Sequence, residues 1–399
     1  MLGLALQARG GEAVKAVPAV SPATRPVSKT ILPVPKSAPA APKTNASDSK
    51  SASAITTAAA RPWPHELSDI KPDPRIVWGR LDNGLRYLIM PVKTPGRAAL
   101  QLYIEAGSLM ETDEQQGIAH FLEHMAFNGT KHFPAGQMVE YFQRLGMAFG
   151  AHTNAETNFD RTVYQIELPR TGEQMTDQGL KLFRDFLDGM LLEKNQIDRE
   201  RRVIFSEKLA RNSAGLRAAA ASLQFTMPET LVPHRLPIGT DKTLRAMSRQ
   251  QFVDFYEKWY TPGRTTIVAA GNFDAKMVER LVRENFADAK ARRGEQPDPS
   301  FGKVEPTRGL SANLQVDAEA QQVTISLNSI APSPKESDTI ERRRSELVKL
   351  TANLMLNARF AKLANEKDAP IQAAGASLDH ELNLADINSV RAVCQPAKW

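Results

Sequence analysis

His120-Phe121-Leu122-Glu123-His124 puts two imidazoles and a carboxylate within five residues. A helix advances about 100° per residue, so His120 and His124 fall one turn apart on one face. Two imidazoles so placed can hold a single Zn²⁺ at nitrogen–metal distances of about 2.0–2.1 Å. Glu123 points to the same side and is free to act as a base on metal-activated water. The order H-x-x-E-H is the reverse of the commoner H-E-x-x-H. The chain has seven histidines, and chance would give roughly 0.01 such patterns in this length, so the segment is read as a hydrolytic metal motif.

A catalytic zinc ordinarily takes three protein ligands and leaves a position open for water. Residues 195–211 read as a charged amphipathic helix, with Ile197, Val203, Ile204, Phe205 and Leu209 as its apolar residues. Glu200 and Glu207 stack on one face two turns apart, and Glu193 extends the row if the helix starts early. A solvated acidic stripe paired with nearby arginines fits the same residues. Spacing alone therefore does not choose the third ligand.

The motif and the acidic helix carrying Arg199, Glu200 and Glu207 resemble the pitrilysin/insulinase metallopeptidase family. Residues 117–120 and 125–130 resemble the motif's flanks in that family. Asn154, Ala155 and Thr157, followed by Asp160, Thr162 and Tyr164, resemble its strand-edge signature; residues 237–240, 259–262 and 265–271 resemble later landmarks. The resemblance implies that His120, His124 and Glu207 bind one Zn²⁺ per chain and that Glu123 is the general base. Glu200 is implied to be a supporting catalytic carboxylate, and it stays open as the alternative ligand. Asn154 and Ala155 are implied to pair with the backbone of a peptide substrate. His132 and His152 lie near the motif and are read as structural. The likeness to large bacterial envelope zinc proteases implies a periplasmic or secreted protein.

The net charge of +6 is concentrated at the front of the chain. Residues 1–62 carry eight Lys or Arg against Glu12 and Asp48, which leaves residues 63–399 neutral. A folded basic face is not implied, and nucleic-acid binding is excluded as an expectation. Residues 9–62 are rich in Ala, Pro, Ser, Thr and Lys and contain no aromatic residue. Such a segment buries too little apolar surface to offset chain entropy, so residues 1–73 are expected to be a disordered tail. Its first eight residues resemble the end of a signal peptide, with Ala5 and Ala8 loosely placed for cleavage, which suggests a start further upstream. No stretch is long and apolar enough to span a membrane. Cys394, the single cysteine, rules out an internal disulfide.

The expected fold class is α+β: a two-layer α/β sandwich with a mostly antiparallel sheet, followed by an incomplete second repeat. Strands are expected at 86–90, 98–105, 162–168, 265–270, 322–327 and from 386, the first two joined by a turn at 94–97. Helices are expected at 116–127, 136–145, 174–192, 196–222, 249–259, 275–286 and 340–366. The corresponding division is a catalytic domain at 74–289, a Pro- and Gly-bearing linker at 290–308, and a truncated non-catalytic repeat at 309–399. In the resembled family a second half closes over the peptide. A partner of that kind, either a C-terminal half or a homologous subunit, is therefore expected. The function expected is a zinc endopeptidase acting on peptides or small unfolded proteins. Its rival is a non-catalytic or partner-dependent peptide-binding fragment.

Overall fold

The computed structural model describes residues 61–395 except 94, 95, 145, 149 and 151. The expectations for the signal remnant, for most of the tail and for the turn at 94–95 fall outside the described residues.

The larger sheet has six strands: β1 (Val77–Arg80), β2 (Arg86–Pro91), β3 (Ala98–Ile104), β4 (Thr153–Thr157), β5 (Thr162–Leu168) and β6 (Thr265–Gly271). Their order is β1-β2-β6-β3-β5-β4, and every neighbouring pair is antiparallel except β2 with β6. The strands form because apolar side chains alternate along them. Ala98, Leu100, Leu102 and Ile104 of β3 are buried, whereas Ala99 is exposed and Gln101 and Tyr103 are half-buried. Register aligns Leu100 with Ile166 and Ala269, and Leu102 with Tyr164 and Ile267, giving continuous apolar rows across three strands. These rows bury one face of the sheet and leave the other partly solvated.

Eight helices accompany this sheet among the described residues: α1 (Ile118–Met125), α2 (Gln137–Arg144), α3 (Glu173–Asp188), α4 (Lys194–Arg211), α5 (Ala214–Thr226), α6 (Asp241–Ala246), α7 (Arg249–Trp259) and α8 (Ala275–Phe286). Phe121 of α1 meets Phe252 of α7 edge to face at 4.8 Å, and Phe186 of α3 packs on Tyr164 of β5. Aromatic pairs of this kind add to area burial in fixing the helices on the sheet.

Residues 323–394 form a smaller unit of three antiparallel strands and one helix. The strands are β7 (Val323–Pro332), β8 (Ala373–Glu381) and β9 (Ala385–Cys394), in the order β7-β9-β8, and α9 (Ile340–Ala364) lies against β8. Asn357 of α9 bonds both the N–H and the carbonyl of Ala376 at 2.6 and 3.0 Å. Leu347, Leu350 and Leu354 on the same helix remain exposed.

The architecture is the expected mixed α/β sandwich with a mostly antiparallel sheet. β6 is laid between β2 and β3, so these two strands do not pair with each other. The structure departs from expectation in three places. The single helix expected at 196–222 is two, since Asn212 leaves helical geometry and Ser213 starts α5 by accepting the Leu216 N–H at 3.2 Å. Ordered chain begins before residue 74: Trp63 is buried, Pro64–Leu67 is a 3₁₀ turn, and the Asp69 carboxylate accepts the Ile340 N–H at the start of α9. The irregular stretch after α8 continues to Gln322, well beyond residue 308.

Candidate metal centre

α1 carries the motif, and its first turn is held from outside the helix. Gly117, with φ +96°, precedes the helix and offers no side chain as a cap. The buried Glu111 fills that role, accepting the N–H of Gly117 at Oε2 and that of Ala119 at Oε1, both at 2.9 Å. Burial pushes its carboxyl well above the usual range, and the two N–H groups pull the other way. A carboxylate at a helix N-terminus also complements the dipole. Arg235 is buried behind it, donating to the Glu111 carbonyl at 3.1 Å and to Asp113 at 2.7 Å.

Ile118, Phe121, Leu122 and Met125 of α1 face the core, which leaves His120, Glu123 and His124 toward α4 and β4. The two imidazole rings stand 4.8 Å apart at 79°. From α4, Glu207 Oε2 lies 3.6 Å from His120 Nε2 and 3.4 Å from His124 Nε2. A tetrahedron with ligand bonds near 2.05 Å has edges of about 3.3–3.4 Å, so these separations suit a central zinc. The donor set, two imidazoles and one carboxylate, is also one that catalytic zinc takes. Among the described residues, His120, His124 and Glu207 form the one His/Cys/Asp/Glu cluster able to hold a metal ion.

The partners of these groups are equally specific. His124 Nδ1 meets Glu200 Oε1 at 2.8 Å, which turns Nε2 toward Glu207. Glu200 Oε2 is held by Asn128 Nδ2 at 3.0 Å, and the same amide reaches the His124 carbonyl. Arg211 pairs with the far oxygen of Glu207, Oε1, at 2.5 Å, leaving Oε2 for the histidines. Burial resists charge on His124, but Glu200 and Glu207 outweigh it and raise the imidazole to about 9. Burial, aided by the charge of His124, lowers His120 to about 4. Burial likewise raises Glu123 to about 7 against the opposing hydrogen bond from Thr157 Oγ1, 2.7 Å from Oε2. Glu207 is lowered because His124, His120 and Arg211 outweigh its desolvation.

The structure therefore brings together His120, Glu123, His124, Glu200 and Glu207. Glu193 stands exposed at the residue before α4, outside the cluster. His132 is tied by Nδ1 to the buried Asp185 at 2.7 Å, and His152 Nδ1 accepts the Ala148 N–H. Asn154 and Ala155 lie on β4, the outermost strand beside β5, and the Asn154 side chain accepts the Ala155 N–H at 2.9 Å. Sequence reasoning assigned no role to Glu111 or Arg211, and took Asn128 and Thr157 only as parts of the motif's flank and of the strand-edge signature. Asn128 and Arg211 each sit four residues beyond a motif residue, so helical spacing carried a signal for both. Glu111 reaches α1 from the segment before it and Thr157 reaches Glu123 from β4, contacts that spacing does not reveal.

Two family patterns match the chain: insulinase (peptidase family M16) over residues 90–223 and the peptidase M16 inactive domain over residues 246–399. The probable zinc protease PqqL of Escherichia coli K12 is 35% identical over 270 residues, covering 67% of this chain and 28% of that protein. A zinc protease PQQL-like protein of Arabidopsis thaliana is 30% identical over 328 residues, covering 79% of this chain and 34% of that protein. The chain thus spans about a third of the length of these relatives. The crystal structure of the first half of the periplasmic protease PqqL from Escherichia coli superposes with a TM-score of 0.74 at 30% identity, covering 82% of this chain and 69% of that one. The crystal structure of pitrilysin, at 21% identity and a TM-score of 0.60, shares the fold over 82% of this chain and 34% of its own. With both patterns, the metal-motif geometry and the sandwich fold in agreement, the chain belongs to the insulinase (peptidase M16) family.

Proposed function

We propose that this chain is the catalytic portion of a zinc-dependent endopeptidase. The observation that carries the proposal is the convergence of His120, His124 and Glu207 donor atoms within 4.8 Å beside the buried Glu123. The residues fit one zinc per chain, which His120 and His124 would hold through Nε2 and Glu207 through Oε2. When bound, zinc supplies Lewis acidity that polarises a peptide carbonyl and lowers the pKa of water toward about 7. Glu123 accepts the proton of the attacking water and passes it to the leaving amine. Glu200 fixes the His124 tautomer, as carboxylates behind metal-bound histidines do. Asn154 and Ala155 lie on the outermost strand, where an extended peptide adds by backbone pairing and is read weakly by side chain. An incoming carbonyl takes over the Ala155 N–H from the Asn154 amide.

A second polypeptide surface is part of the proposal. Leu347, Leu350 and Leu354 of α9 are exposed, as are Ile325 and Leu327 of β7, apolar surface of the kind that marks an interaction site. The relatives extend well beyond the matched region. Full activity is therefore assigned to an assembly with a further half, and a periplasmic or secreted setting follows the relative described as a periplasmic protease. No described helix is long and apolar enough to cross a membrane.

The test is zinc content together with hydrolysis of a quenched fluorescent peptide mixture, with a chelator and a Glu123→Gln variant as controls. Chelator-sensitive cleavage that disappears in the variant supports the peptidase. Stoichiometric zinc without cleavage supports the partner-dependent form. Absence of bound zinc at micromolar metal removes the metallopeptidase reading.

A further inference from the structure

Thr157 is the last residue of β4, and its hydroxyl donates to Glu123 Oε2 at 2.7 Å. Across the β4–β5 pair it faces Thr162, whose hydroxyl is committed elsewhere, to the Ala106 carbonyl at 2.9 Å. The two threonines therefore do not satisfy each other, and the proton of Thr157 goes to a carboxylate. Glu123 is only 8% exposed, so bulk water gives it little help in keeping one orientation. A hydrogen bond to a charged acceptor is about twice as strong as a neutral one and fixes direction as well as energy. The contact also spans two functional parts. β4 is an edge strand of the sheet, and α1 carries the motif.

We propose that Thr157 is a positioning residue for Glu123. By holding Oε2 it keeps Oε1 turned to the reacting water, and it ties the base to the strand along which a peptide adds. This inference rests on the metallopeptidase reading. It predicts that the hydroxyl matters to turnover and hardly to peptide affinity or metal affinity.

The experiment compares the full chain with Thr157→Val, which keeps the branched shape and removes the hydroxyl, and Thr157→Ser, which keeps the hydroxyl. Zinc affinity by chelator competition and thermal unfolding are measured alongside, as controls on folding. In peptide hydrolysis, Thr157→Val is expected to lower kcat about tenfold or more with KM within about twofold, and Thr157→Ser to restore kcat to within about threefold. An unchanged kcat in Thr157→Val overturns the inference, as does a loss confined to KM or a Thr157→Ser variant as slow as the Val one. If the wild-type chain alone is silent toward peptides, the readout is the visible absorption of the Co²⁺-loaded chain at one fixed pH. Its band positions and intensities are expected to change in Thr157→Val and to return in Thr157→Ser; a spectrum unchanged in Thr157→Val overturns the inference. A chain that binds neither Zn²⁺ nor Co²⁺ fails the reading beneath, and the inference falls with it. Cleavage indifferent to the hydroxyl leaves that reading standing and removes only the role of Thr157.

Discussion

Gly117 and Gly239 meet backbone to backbone. A methyl group built on Gly117 would lie 2.9 Å from the Gly239 Cα, and one built on Gly239 would lie 2.6 Å from the Gly117 Cα. Both residues have positive φ, +96° and +70°, which side-chain-bearing residues rarely adopt. The contact sets where α1 begins, and it is braced by Thr243 Oγ1 on the Gln116 carbonyl at 2.7 Å and Lys208 Nζ on the Gly239 carbonyl at 2.9 Å. Lys208 follows Glu207 directly, so one contact registers the two helices of the candidate metal centre against a single loop.

Gly117→Ala is accordingly expected to destabilise the fold by about 1–3 kcal/mol, measured as a lower urea midpoint at unchanged slope. Zinc affinity should weaken in the same variant, because His120 lies three residues downstream of the displaced turn. A variant with wild-type midpoint and affinity would show that the loop yields freely at this point.

Glu123→Gln should lose hydrolysis by about 10² or more, the usual contribution of a positioned acid–base group. Zinc binding is expected to persist, since the bond that Glu123 makes here is to Thr157 and not to a metal donor. Retained turnover would move the base to another residue.

Glu200 and Glu207 are separable by metal affinity. Loss of the carboxylate behind a metal-bound histidine typically costs 10–100-fold, so Glu200→Ala should fall about that far in chelator competition. Glu207→Ala, which removes the proposed third ligand, should fall further. The opposite ranking would transfer the third ligand to Glu200.

Trp63 supplies a test of where the folded chain starts. It is 5% exposed, packed on Trp78 at 4.8 Å with the Arg86 guanidinium 5.1 Å from its ring. Trp63→Ala is expected to destabilise by about 3–5 kcal/mol in chemical denaturation. A chain beginning at 74 should be weakened at least as much as one beginning at 61 that carries this substitution.

Period and punctuation made most elements legible in the sequence. β5, α7 and α8 occupy the expected spans because each has a clean alternation or a 3.6-residue apolar repeat with turn residues at its ends. β8 escaped detection because Ala373, Ala374, Gly375 and Ala376 carry almost no strand preference, and the strand exists through its pairing with β9. The insertion of β6 between β2 and β3 is not legible from their adjacency, because partner choice is a property of the whole sheet. Within the site, His120, Glu123 and His124 were legible from local spacing alone. Glu207 needed the family resemblance, since its distance to the histidines depends on how α4 packs on α1. Glu111 and Thr157 needed coordinates.

β6 has a consequence for how the protein is made. It fills the slot between β2 and β3, yet every residue of the candidate centre, from His120 to Glu207, precedes it in the chain. A nascent polypeptide that already contains the whole motif therefore still has two unsatisfied strand edges, the kind of surface that recruits wrong partners. Proteolytic or genetic cuts placed after α4 would leave a chemically complete motif on an open sheet. Competence to capture metal should thus depend on insertion of the segment ending at Gly271, not only on the presence of the candidate ligands.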